Sequence, residues 1–157
     1  MKSLGFTLIE LLISVAIMSL ITGSGLAAYR NMEGRHKLKQ AGSSLQSQLR
    51  LIQQKALASE KPAECGLNSL LGYAVEYVNE SSYSVVAVCN EIIITPNQVN
   101  LPKGIVFSQE FFPSRIFFRV LQAEVEGSQT INLTNGKEKY SVIIEANGVI
   151  RSDFAEN

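Results

Sequence analysis

A single carboxylate stands inside the most apolar stretch of the chain. Between Phe6 and Tyr29, Glu10 is the sole acidic or basic side chain. As a helix, residues 6–29 would cover roughly 36 Å, enough to cross a bilayer. An acidic group inside hydrocarbon costs on the order of 2.5–3.5 kcal/mol, so Glu10 calls for a partner. Were the chain cut after Gly5, Phe6 would carry an α-ammonium with a pKa near ~8. Glu10 lies four residues on, and a helical side chain leans toward the N-terminus. The chemistry on offer is ion pairing, with cleavage creating the cation for the anion.

The other reactive side chains are few. Cys65 and Cys89 are the two cysteines of the chain. In an exported head a disulfide between them is expected to close a loop of about 25 residues, stabilising by about 3 kcal/mol if chain entropy dominates. Two free buried thiols are the alternative. The pair lacks the four-ligand spacing of a zinc site, and the one histidine, His36, falls on a predicted helix. Asp153 is the one aspartate, and no Gly-rich phosphate loop is present. Acid–base or nucleophilic catalysis needs convergent titratable groups, so no enzyme activity, metal or cofactor is expected. The 14 basic and 14 acidic residues balance, giving no bulk field that would gather nucleic acid.

The elements that carry these residues follow from periodicity. Leu38, Ala41, Leu45, Leu49, Ile52 and Ala56 recur at steps of three and four, which predicts an amphipathic helix over 36–59 with one face on a sheet. The opposite side, including Lys37, Lys39, Gln46, Arg50 and Lys55, reads as a mildly basic solvated face. Pro62 removes a donor and ends the helix. Gly23 and Gly25 each cost roughly 1 kcal/mol relative to alanine, so a bend or melted segment is expected there.

Beyond Pro62 the pattern alternates. Residues 73–78 and 83–89 flank Asn79-Glu80-Ser81-Ser82 and predict a β-hairpin. Ile92-Ile93-Ile94 extends the sheet, and Val106-Phe107 with 115–121 form a further strand or pair. Asn135-Gly136 and Asn147-Gly148 suit type I′ hairpin turns. The expected fold class is α+β: a long N-terminal helix, its hydrophobic half protruding, packed against an antiparallel head of six to eight strands.

Lys2, Gly5, Phe6 and Glu10 together resemble the prepilin signature of the type IV pilin and type II secretion pseudopilin superfamily. The signature is a basic leader, Gly, an aromatic first mature residue and a glutamate at the fifth mature position. The resemblance implies cleavage between Gly5 and Phe6 by a prepilin peptidase, N-methylation of Phe6, and assembly into a filament through Phe6 and Glu10. It divides the chain into a leader at 1–5, a transmembrane and filament-core helix at 6–29, an amphipathic helix at 30–61 and a β-rich head at 62–157. It places the precursor in the bacterial inner membrane as a single-pass protein with its head outside the cytoplasm, and afterwards in a pilus or pseudopilus. The partners it implies are the peptidase, other pilin or pseudopilin subunits, an inner-membrane assembly platform and the lipid bilayer. Lone Asp153 cannot build the aspartate-rich calcium loop typical of major pseudopilins. The β-rich C-terminal half ending in a hairpin is more similar to H-type minor pseudopilins and minor pilins. Many major pilins have proline at the position of Ala27, and this chain departs from that pattern.

Other readings stay open at this level. Leu26-Ala27-Ala28 could serve as an ordinary signal cleavage site, or the span could be a plain anchor whose Glu10 snorkels. A binding module for DNA or secreted cargo would use the cluster Arg30, Arg35, Lys37 and Lys39, although these cations also suit lipid headgroups.

Overall fold

The computed structural model describes residues 7–90, 93–108, 115–125 and 127–155, with side chains at 23–31 and 95–97 left aside. The chain falls into two compact units, Met1–Arg35 and His36–Asn157. Helix α1, Leu8–Leu57, contributes to both. It is helical through 23–25, without the melted segment that the two glycines allow. Propagating a helix adds one hydrogen bond per residue fixed, and only nucleation is costly, so two glycines between strong flanks are carried along.

The second unit is built on the stripe read from the sequence. Leu38, Ala41, Leu45, Leu49, Ile52 and Ala56 are all buried. Each buried leucine or isoleucine contributes roughly 1.5–3 kcal/mol of apolar transfer. At Gly42 the helix comes so close to Tyr140 that a Cβ would overlap its ring, so glycine here serves packing. The expected solvated face is only partly solvated. Gln46 Nε2 and Arg50 Nη2 donate to the Ile150 carbonyl at 3.0 and 2.7 Å, and Gln53 Nε2 donates to the Gly148 carbonyl at 2.8 Å. These side chains flank the stripe, and their length lets them satisfy sheet-end carbonyls.

Helix α1 ends before Pro62 is reached. Ser59 takes a left-handed φ of 49°. Glu60 N donates to the Lys55 carbonyl at 3.0 Å and Ser59 N to the Ala56 carbonyl at 3.0 Å, the paired bonds of a Schellman cap. A short 3-10 turn, Ala63–Cys65, follows.

Eight strands among the described residues form two antiparallel four-stranded sheets. They are β1 (Leu70–Asn79), β2 (Ser82–Cys89), β3 (Ile93–Asn100), β4 (Val106–Phe107), β5 (Arg115–Arg119), β6 (Gln129–Thr134), β7 (Lys139–Ile144) and β8 (Ile150–Phe154). The orders are β3-β2-β1-β5 and β4-β6-β7-β8. The predicted first hairpin is β1–β2, with Tyr77 opposite Tyr83. β4 and β5 do not pair with each other: β4 joins β6, and β5 returns to β1. Both sheets and the helix share one core, to which Tyr73, Val75, Ile116 and Phe118 of the first sheet and Leu133, Tyr140 and Ile144 of the second belong.

Both Asn-Gly pairs do sit in hairpin connections, but neither is a type I′ turn. Gly136 and Gly148 have φ of 83° and 85°, while neither asparagine has positive φ. The asparagines act through their side chains instead. Asn135 Oδ1 accepts from Lys137 N and Glu138 N at 2.9 and 2.8 Å, and Asn147 Oδ1 accepts from Val149 N at 2.9 Å. Such Asx turns suit loops longer than two residues.

Candidate functional site

The start of helix α1 is fixed by a local sequence pattern. Thr7-Leu8-Ile9-Glu10 has the Thr-x-x-Glu spacing of a capping box. Thr7 Oγ1 accepts from Glu10 N at 3.4 Å, and the Leu11 amide donates to the Thr7 carbonyl at 3.2 Å. The spacing was available in the sequence as a start signal for the helix. Glu10 then lies in the first turn, where a carboxylate complements the positive end of the helix dipole.

Downstream of that cap the helix is apolar on every side. Leu8, Ile9, Leu11, Leu12, Met18 and Leu20 are all more than half exposed. A helix apolar all round needs cover from lipid or other helices. Its hydroxyls are already satisfied internally: Ser14, Ser19 and Thr22 each donate to the carbonyl four residues back, at 2.7, 2.8 and 2.5 Å. Internal bonding of this kind is what a hydrocarbon environment demands of polar groups. The Glu10 carboxylate is exposed and has no partner among the described residues. Residues 8–22 therefore offer an apolar cylinder with one anionic position, Glu10, near its start.

Gly5 and Phe6, the expected cleavage pair, lie outside the described residues. Among the described residues no helix is long and apolar enough to cross a membrane.

The remaining candidates are dispersed. Cys65 and Cys89 are joined in a disulfide with Cα atoms 6.0 Å apart, tying the turn after the helix to the end of β2. His36 is exposed on helix α1. Of the basic cluster, Arg35, Lys37 and Lys39 are exposed, and Arg30 lies outside the described side chains. Among the described residues no three His, Cys, Asp or Glu side chains gather where they could hold a metal ion.

Residues 1–26 match the family model described as the Prokaryotic N-terminal methylation motif. The chain thus carries the prepilin-type N-terminal methylation motif, consistent with a type IV pilin or pseudopilin precursor. The α+β architecture, helix first and antiparallel sheets after, is consistent with a pilin-like fold. The motif implies processing by a prepilin peptidase and assembly with other pilins. It suggests a membrane-anchored precursor that passes into a filament. The chain matches no curated protein and no solved structure.

Proposed function

We propose that the chain is a structural subunit of a type IV pilus or type II secretion pseudopilus, and that its work is packing rather than catalysis. The precursor is cleaved between Gly5 and Phe6, methylated on the Phe6 nitrogen, and held in the inner membrane by the helix beginning at Leu8. An assembly platform there hands it to the filament. The observation that carries this reading is the conjunction of the methylation motif at 1–26 with a helix whose leucines are exposed on all sides. The head ending in the β7–β8 hairpin supports a minor subunit of the H type.

On assembly the Glu10 carboxylate pairs with the Phe6 ammonium of a neighbouring subunit and sets axial register. The test is the intact mass and N-terminal residue of the protein recovered from cells that express the cognate prepilin peptidase. An N-methylated Phe6 terminus is expected; a terminus at Met1 or near Ala28 would overturn the pathway. Glu10→Ala should leave cleavage intact and lower filament incorporation at least tenfold, and normal incorporation of that variant would sink the register role.

A further inference from the structure

Two clefts lie end to end in the second unit, between helix α1 and β3. One, of 430 Å³, is lined by Lys37, Ala41, Leu45, Tyr83, Leu101 and Lys103 among others. The other, of 480 Å³, is lined by Leu51, Ile52, Lys55, Tyr73, Val85 and Gln98 among others. They share Val99 and Asn100, so they form one groove along the edge strand of the first sheet. From Lys37 to Lys55 the helix wall runs about 27 Å.

The lining has a consistent chemistry. Its floor is apolar, its rim carries the amides of Gln40, Gln48, Gln98 and Asn100, and its charged members are Lys37, Lys55 and Lys103. No carboxylate lines either cleft. The Lys55 ammonium has an exposed partner in Glu60 at 3.1 Å, an arrangement that exchanges cheaply for another carboxylate.

Tyr83 makes this a built site. Its side chain is 2% exposed, yet its hydroxyl has no hydrogen-bond partner among the described residues. Every fully buried side-chain nitrogen or oxygen among those residues is bonded. The Tyr83 hydroxyl is therefore the part of that side chain which reaches the groove. Burial pushes its pKa up to about 12, so at neutral pH it is a donor awaiting an acceptor.

We propose that the groove holds an extended acidic segment of a partner protein, with its carboxylates on Lys55 and Lys103 and one of its oxygens accepting from the Tyr83 hydroxyl. About eight residues of strand would fill the length, alternate side chains entering the apolar floor. This goes beyond the filament reading and does not depend on it. Single-stranded nucleic acid would want aromatic faces to stack on, and Tyr73 and Tyr83 keep their rings in the core.

The test uses the full chain in detergent micelles against a displayed library of random octapeptides. Winners are expected to carry at least two carboxylates interspersed with apolar residues. Binding of a fluorescein-labelled winner, read by anisotropy, should weaken at least tenfold in the Lys55→Glu/Lys103→Glu double variant. It should weaken three- to tenfold in Tyr83→Phe and stay unchanged in Lys137→Glu, on a hairpin tip elsewhere. Tyr83→Phe keeps its ring in the core and decides the matter if the lysine variant does not fold. Winners that are basic or lack acidic residues, affinity indifferent to Tyr83→Phe, or displacement of the peptide by an oligothymidine would each overturn the proposal.

Discussion

Residues 8–22 and residues 38–56 belong to one helix and meet opposite fates. In the later stretch the apolar side chains, Leu51 apart, recur on one stripe and are buried in the core shared with the chain's own sheets. In the earlier stretch they appear on every side and remain exposed. A one-sided stripe specifies a cover that the same chain supplies, whereas a helix apolar all round leaves its cover to other molecules. Leucine is frequent in both, so distribution around the axis, rather than apolar content, separates folding surface from assembly surface.

Substituting the same residue type in each half gives the strongest test of that contrast. Leu49→Ala should lower unfolding stability by about 4 kcal/mol, as a cavity in a well-packed core does. Leu12→Ala should change it by less than about 0.5 kcal/mol, as an exposed position does, while lowering filament incorporation. Denaturant unfolding of both variants checks this, and equal losses would erase the distinction. Next in size is the disulfide: Cys65→Ser with Cys89→Ser should cost about 3 kcal/mol, because the loop it closes belongs to the self-covered unit. A loss confined to incorporation, with unchanged unfolding, would contradict that placement.

Alkaline pH offers a third probe of the buried side. The Tyr83 phenol titrates near its ordinary value of about 10 in the unfolded chain and near about 12 when folded. Between those values the folded state holds more protons than the unfolded one. The contribution is full below pH ~10 and is lost as pH rises through ~12, amounting to about 2 kcal/mol. Comparing unfolding curves of the parent and Tyr83→Phe across that window isolates it from lysine titration, and parallel curves would remove the assignment. Smallest is Ser59→Gly, which should stabilise by about 1 kcal/mol by relieving a left-handed φ at a residue bearing a Cβ. A thermal-melt midpoint that falls would show that the serine side chain contributes something glycine lacks.

What was legible in the sequence is what depends on near neighbours. The stripe from Leu38 to Ala56, the β1–β2 hairpin and the motif around Glu10 are all patterns within a few residues of one another. The division of the strands into two sheets was not legible, because β4 and β5 are close in sequence yet pair with β6 and β1. Nothing local marks such pairing. The Asn-Gly signals placed the turns but not their geometry, since each asparagine also had a side-chain oxygen to offer. The groove lining was equally hidden: residues 37–55 and 98–103 meet only after β3 has paired with β2.

The return of β5 to β1 also sets an order of events. β1, β2 and β3 can pair successively in chain order, each closing a short loop. β5 must wait, because its pairing with Glu76 through Arg115 encloses β2, β3 and β4 and closes a loop of about 40 residues. Until it arrives, the β1 edge lies open, and the emerging head is at its most vulnerable to proteases and to pairing with another chain. Completion of the first sheet therefore waits on the docking of five residues, Arg115–Arg119.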